Sequence, residues 1–542
     1  MWSVWIDTGG TFTDCIAISP ERKRKRLKIL SSSVLRGTIE SHSGKQIKGI
    51  FSWPVERDLF KGFSFRSVKH DFNAKVKSVD LQNGIIQLSK SVTNTEFEGD
   101  FEITSHEEVP ILAVRLLTST PLTKPLPRVQ MRLGSTKGTN ALLEKKGAPV
   151  AFITTKGFRD LLVIRDQQRP NLFRLNIETP DPLFSYAIEI NERLNTKGEV
   201  LQPINVHDLP KALLDLPRDT AIAICLLNSY RNDIHEKLLR DILSKNGFSS
   251  ISCSSELSKN IKLLQRADTT VANAYLEPTI SQYIKGISSK INSSKLWIMT
   301  SSGSIVGNEN FSPKDSLLSG PAGGIVGAVS AGKKSGFDKI ISFDMGGTST
   351  DVAIYNKRFD YQFETKVGQA NIQSPCLHIE TIAAGGGSIC DFKNGMLQVG
   401  PESAGAEPGP ACYGAGGPLT LTDINLLAGR LVPNAFGIPI NLDAANQALD
   451  LLVERIHTYS DKAIGRLALI NAFTSLANEK MAEAIRKISL SKGHDPKEYC
   501  LISFGGAGGQ HAIGIAEILG IKQVATPYEA GLLSAYGIGK AD

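Results

Sequence analysis

Short apolar runs recur along the chain, each bounded by Gly, Asp, Asn or Ser. "WSVWI" (2–6), "CIAI" (15–18), "KIISF" (339–343) and "VAIY" (352–355) are rich in β-branched, aromatic and aliphatic residues and predict strands. They form two pairs, and within each pair a glycine-containing loop joins strand to strand. Further on, "TAIAICLLN" (220–228), "LWIMTSSGSIV" (296–306) and "CLISF" (500–504) predict strands. Helical spacing of apolar positions appears in "VPILAVRLL" (109–117), "TTVANAYLEPTISQYI" (269–284), "NQALDLLVERI" (446–456), "LINAFTSLANEKMAEAIRKISLSKG" (469–493) and "HAIGIAEIL" (511–519). Lys487, Lys492 and Gly493 supply stop signals for the fourth of these. Strands alternating with helices predict an α/β architecture. Residues 31–107 differ: they alternate with period two and carry the turn "LQNGII", which predicts a small β-rich insert.

The two loops share one frame. "DTGGTFTD" (7–14) and "DMGGTSTD" (344–351) both read Asp-x-Gly-Gly-Thr-x-Thr-Asp. Paired glycines, Gly9–Gly10 and Gly346–Gly347, let consecutive N–H groups point at one anion. Thr8, Thr11, Thr13, Thr348, Ser349 and Thr350 add hydroxyls. Asp7 and Asp344 end their strands and supply oxygen ligands suited to a hydrated Mg²⁺. Asp14 and Asp351 either bond the loop's own N–H groups or reach the metal through water. An ordinary Gly-Gly turn needs none of these flanking groups at both places, so the pair predicts two phosphate loops gripping one polyphosphate. A third cluster, Gly505, Gly506, Gly508 and Gly509, lies between strand "CLISF" and the helix that follows; it lets a flat purine lie against bare backbone.

Composition narrows the class. At 542 residues the chain exceeds the roughly 250–300 at which one core stops growing, so two or more domains are expected. Apolar residues make up 41% and charged residues 21%, as in ordinary globular proteins. The net charge of +7 is dilute, and the one basic run, "ERKRKRLK" (21–28), reads as a solvated hairpin tip rather than a nucleic-acid patch. No apolar stretch approaches the ~20 residues of a membrane span. Seven cysteines, an odd number with no C-x-x-C, fit small core residues in a reducing cytoplasm.

The trio of glycine loops resembles the superfamily of actin, sugar kinases and heat-shock chaperones. "GSTKGTNALLEKKG" (134–147), "TTKGFRDLLVIRDQQRPNLFRLNI" (154–177), "RADTTVANAYLEP" (266–278), "SGPAGGIVGA" (319–328), "AAGGGSI" (383–389) and "VGPESAGAEPGPACYGAGGPLTLTDINLLAGRL" (399–431) further resemble the hydantoinase A/5-oxoprolinase family. The resemblance implies two ribonuclease-H-like domains with ATP in the cleft between them, and divides the chain into an N-terminal domain at 1–190 (with the insert) and a core ATPase domain at 191–542. It implies MgATP-driven phosphorylation of the carbonyl oxygen of a cyclic amide such as 5-oxoproline or a hydantoin. A hydantoinase B-type subunit or half then completes ring opening, so a hetero-oligomer is expected. "QQRPNLFRLNI" is more similar to the 5-oxoprolinase side than to the ketone carboxylases, the sister branch; a chaperone-like or actin-like switch is the non-enzyme alternative. Resembling proteins continue beyond "AYGIGKAD", which points to a short form, a split gene product or a truncated chain.

The roles implied are these. Asp7 and Asp344 position Mg²⁺; Thr8, Gly9, Gly10, Thr11, Gly346, Gly347, Thr348 and Ser349 hold phosphates; Gly505, Gly506 and Gly508 line the adenosine. Arg169 either stabilises the transferring phosphate, binds an acidic substrate group or makes a structural salt bridge. Asn140 either orients a carbonyl or caps the helix "ALLEKKG". Gly385–Gly387 either face a ligand or make a turn; Gly320, Gly323 and Gly324 either pack helices closely or touch phosphate. His378 and Glu380 share a strand face and are a candidate metal pair or mere neighbours.

Overall fold

A computed structural model of the chain describes residues 1–93, 96–167, 173, 175, 181–291, 295–436, 439–459 and 464–542. The architecture is mixed α/β. Contacts divide it into two compact units, 1–320 with 362–376 and 542, and 321–361 with 377–541. The expected domain boundary at 190/191 lies inside the first unit.

In the first unit, strand Trp2–Thr8 pairs antiparallel with Phe12–Ile18, which pairs antiparallel with Arg24–Leu30. On its other side Trp2–Thr8 runs parallel to Val129–Ser135, which runs parallel to Leu296–Met299. The central strand is a near-continuous apolar run because both faces are buried: Val4, Trp5 and Ile6 all lie in the interior. Helix Val109–Thr118 is apolar on nearly every side and packs with this sheet in one core that includes Ile6, Leu112 and Leu133. The expected single strand "LWIMTSSGSIV" is instead a hairpin. Thr300 N–H donates to the Ser304 carbonyl at 2.9 Å, Gly303 takes φ +83°, and Ile305–Gly307 returns antiparallel to Leu296–Met299.

The β-rich insert closes into a six-stranded barrel, Val34–Ser43 to Gly99–Thr104, around Phe63, Phe65 and Phe101. The "LQNGII" turn joins Asn73–Asp80 to Ile85–Leu88 as expected. "ERKRKRLK" forms the exposed tip and outer strand of the first meander. A second, all-parallel sheet in this unit orders Tyr186–Ile190, Val150–Thr155, Ala221–Cys225 and Ile251–Cys253.

The second unit repeats the first sheet's strand order. Lys339–Met345 pairs antiparallel with Thr350–Asn356, which pairs antiparallel with Glu380–Ile382; on the other side it runs parallel to Cys500–Phe504, which runs parallel to Gln523–Ala525. Helices Leu442–Tyr459, Arg466–Leu490 and Gly508–Leu519 contribute to its core, whose centre includes Phe343, Phe473 and Ile515. In helix Ser319–Lys334 two glycines serve packing: a Cβ on Gly323 would sit 2.9 Å from the Ser534 carbonyl oxygen, and one on Gly324 3.0 Å from the Phe504 ring, whereas one on Gly320 would lie 3.4 Å from Asp7 Oδ1.

Candidate functional site

Each unit places one glycine hairpin between the first two strands of its meander, at the carboxyl end of the strand that pairs in parallel with the next element. Ligands of open α/β sheets bind at such carboxyl ends.

In the first unit the turn closes through Gly9 N–H to the Phe12 carbonyl, 3.0 Å. Ser31 buttresses it from the neighbouring strand: its hydroxyl donates to the Gly9 carbonyl (2.8 Å) and its N–H to that of Thr11 (2.9 Å). The N–H groups of Gly10 and Thr11 have no backbone acceptor among the described residues, and both residues are exposed. Thr8 is buried instead, its hydroxyl 3.4 Å from the Tyr283 hydroxyl. Asp7 Oδ1 is buried without a hydrogen-bond partner. Burial, and then the nearby Asp14 carboxylate, push the Asp7 pKa up to about 7, against the pull of Lys28. An unpartnered, desolvated carboxylate oxygen is the donor chemistry a divalent cation satisfies.

In the second unit Gly346 N–H bonds the Ser349 carbonyl at 3.0 Å. The three glycines 385–387, left open between ligand contact and turn, brace this hairpin from behind. Gly386 N–H donates to the Gly346 carbonyl (3.0 Å) and Gly387 N–H to that of Gly347 (2.6 Å). A Cβ on Gly385 would lie 2.7 Å from the backbone of Thr348 and Ser349. With the carbonyls occupied at the back, the N–H groups of Gly347 and Thr348 stay without backbone acceptors among the described residues, and both residues are exposed.

Asp344 ends its strand beside the third cluster. Gly505, at φ +81°, would put a Cβ 2.4 Å from Asp344 Oδ1 and 2.5 Å from the Met345 carbonyl oxygen. Ala507 N–H bonds that same carbonyl at 3.0 Å. Gly506 is exposed with open space around it, and Gly508 begins the helix against Ser503. So Asp344, Gly346, Gly347, Thr348, Ser349, Gly505, Gly506 and Gly508 meet in the second unit; Asp7, Thr8, Gly9, Gly10 and Thr11 meet in the first. Arg169 lies outside the described residues.

Several expectations need correction. Asp14 and Asp351 do not bond their own loops: Asp14 pairs with Lys28 (2.6 Å), and Asp351 accepts the Thr381 hydroxyl (2.6 Å). The cross-strand register opposes each to its loop-opening aspartate, so side-chain partners on the next strand are nearer. Asn140 is no cap, because it lies inside helix Lys137–Leu143, whose N-cap position is Thr136. His378 and Glu380 part company: His378 pairs with Asp360 (2.9 Å), while Glu380 pairs with Lys487. No group of three metal-binding side chains occurs among the described residues. Ser31 and the bracing role of Gly385–Gly387 escaped the sequence reading; a glycine run immediately after a strand was the available signal.

The hydantoinase/oxoprolinase profile matches residues 266–542, and the profile of the hydantoinase/oxoprolinase N-terminal region matches 74–247. The chain belongs to the hydantoinase/oxoprolinase family. It is 37% identical to the 5-oxoprolinase of Saccharomyces cerevisiae, in an alignment covering 99% of this chain and 41% of that protein. It is 32% identical to the caprolactamase subunit alpha of Pseudomonas jessenii, over 74% of this chain and 60% of that one. The crystal structure of the ATP-dependent caprolactamase from that organism superposes with a TM-score of 0.72 at 25% identity, covering 99% of this chain and 70% of that chain. Acetone carboxylase shares the fold, with a TM-score of 0.67 at 18% identity over 100% of this chain and 70% of the other. The chain spans about two-fifths of the length of the first curated relatives it matches.

Proposed function

We propose that this chain is the ATPase part of a cyclic-amide hydrolase, phosphorylating the carbonyl oxygen of a lactam such as 5-oxoproline or a hydantoin. The observation that carries this is the repeated hairpin. It occupies the same place in the same strand order twice, in a chain whose relatives include a 5-oxoprolinase and a caprolactamase subunit. The repeated order also supports reading each unit as a ribonuclease-H-like half that offers one hairpin to a nucleotide's phosphates.

The chain's own groups divide the work. N–H groups of Gly10, Thr11, Gly347 and Thr348, with the Thr11, Thr348 and Ser349 hydroxyls, donate to phosphate oxygens. Asp7 and Asp344 hold Mg²⁺, which when bound neutralises charge on the phosphates. Gly505, Gly506 and Gly508 leave room for the nucleoside. Arg169 is the proposed cation for the transferring group. Phosphoryl transfer asks mainly for positioning and charge stabilisation, which these groups provide. An amide carbonyl is a poor electrophile; phosphate on its oxygen creates a leaving group and opens the carbon to water. That last step is assigned to a hydantoinase B-type partner or half. Seven free, buried cysteines support a cytoplasmic setting. The acetone carboxylase likeness is one of fold, so ketone carboxylation has less support than lactam opening.

The test is ADP release by the purified chain, alone and with a B-type partner, over 5-oxoproline, hydantoins, simple lactams and ketones with bicarbonate. Stimulation by ring amides is expected. Stimulation by ketones alone, dependent on bicarbonate, would replace this reading with the carboxylase one.

A further inference from the structure

Asn140 lies in the interior of helix Lys137–Leu143 and makes no hydrogen bond through its side chain among the described residues. Its orientation is set by its neighbours. Gly138, Ala141 and Leu142 are buried, and the Thr139 hydroxyl is tied to the Leu317 carbonyl. What remains is a half-buried carboxamide whose Nδ2 lies 3.7 Å from where a Cβ on Gly10 would be. Both belong to the first unit, at the carboxyl ends of the parallel strands Trp2–Thr8 and Val129–Ser135. Asparagine is a weak helix former in such a position, and here it neither caps nor packs a core. A polar group is thus spent at the open side of the phosphate turn with no structural return.

A carboxamide carries a donor and an acceptor side by side. A ring amide is held cis, so its carbonyl acceptor and N–H donor also sit side by side. The two edges match as a bidentate pair, the geometry by which asparagine reads adenine. A ketone has no N–H and an N-methylated lactam has lost it, so neither completes the pair.

We propose that Asn140 is the residue that reads the ring amide, Nδ2–H donating to the substrate carbonyl and Oδ1 accepting its N–H. This rests on the phosphorylation reading above and adds the specificity device. The carbonyl oxygen keeps its second lone pair for phosphorus. As that O–P bond forms, the bond from the γ-phosphorus to its bridging oxygen breaks and the electron pair leaves on ADP. The ring nitrogen lone pair shifts into a C=N bond, and the N–H, now cationic, remains held by Oδ1.

The experiment measures ADP release by the full chain with MgATP, comparing each of 5-oxoproline and 2-pyrrolidinone with its N-methyl derivative. The wild type should prefer the N–H lactam in kcat/KM by about ten- to a hundred-fold, the discrimination of a good bidentate pair. Asn140→Ala, a change to a better helix former, should bring the ratio near one. Asn140→Asp keeps the shape and one acceptor but loses the donor, and should also lose most of the preference. Far-UV circular dichroism checks that both variants fold. A wild type that responds to both lactams of a pair equally, or variants that keep its preference, overturns the assignment of Asn140 alone. A wild type that responds to none of these lactams overturns the phosphorylation reading and this inference with it.

Discussion

Gly505 and Gly506 are adjacent, both are assigned to the nucleoside, and alanine should affect them in opposite ways. At Gly505 the backbone is left-handed, φ +81°, where an L-residue costs about 1–2 kcal/mol. Its Cβ would also stand 2.4 Å from Asp344 Oδ1 and 2.5 Å from the Met345 carbonyl oxygen, which forces backbone to move. Together these predict a loss of about 2–4 kcal/mol for Gly505→Ala, the range of other strained or overpacked positions. At Gly506 no atom lies within 4 Å of the added carbon and φ is outside the left-handed region. Gly506→Ala should leave stability within about 0.5 kcal/mol of wild type, as surface changes do. Its methyl group would instead occupy the face proposed for the purine and weaken ATP binding. Urea denaturation gives the first quantity, and titration with a fluorescent ATP analogue gives the second. Equal destabilisation by both changes would show the loop geometry to be misjudged. A stable Gly506→Ala protein that binds the analogue as tightly as wild type would remove this cluster from the nucleotide site.

Three further outcomes are expected. Asp344→Asn should abolish Mg²⁺-dependent ADP release while leaving the melting temperature nearly unchanged; a variant with full turnover would refute the metal assignment. His511 is buried between Asn425 (2.9 Å) and Asn478 (2.8 Å), and burial, with a lesser push from Arg430, lowers its pKa from 6.5 to about 4. The unfolded chain therefore binds this proton before the native one does, and stability should fall as pH drops from 6.5 towards 4, by up to about 3 kcal/mol at about 1.4 kcal/mol per pH unit; His511→Gln should flatten that slope in denaturation series across the window. Glu107 grips the buried Arg115 at 2.6 and 2.8 Å. Glu107→Ala should cost about 3 kcal/mol by removing the buried guanidinium's counter-charge, and adding Arg115→Met should restore only part of it in a double-mutant cycle, because Arg115 also donates to the Pro121 carbonyl at 2.9 Å.

The hairpins were legible because their chemistry is local. Two glycines, two threonines and two aspartates in eight residues sit between apolar runs that can only be strands. The helix after "CLISF" was legible for the same reason, since Ala512, Ile515, Ala516 and Leu519 repeat at helical spacing. What escaped depends on contacts distant in sequence. Gly385–Gly387 brace a turn nearly forty residues earlier, and no period or spacing announces such a pairing. Ser31 closes the first turn only because the register sets Phe12 opposite Leu30. The partners of Asp14 and Asp351, Lys28 and Thr381, stand on other strands, and the sequence does not announce them. The break in "LWIMTSSGSIV" was a local error: "SSGS" is a turn signal that the flanking apolar residues outweighed.

The excursion at 362–376 has a practical consequence for dissecting the protein. These residues follow the second unit's meander in the chain, yet Val367, Ala370 and Ile372 lie in a core built by Phe152, Ala267 and Leu276 of the first. A gene fragment beginning at 321 would carry that hairpin away from its home and leave three apolar side chains wet. Its counterpart ending at 320 would be made with a gap in its interior. Clean halves need the hairpin cut out of one fragment, its ends rejoined by a short linker, and the same residues grafted onto the other.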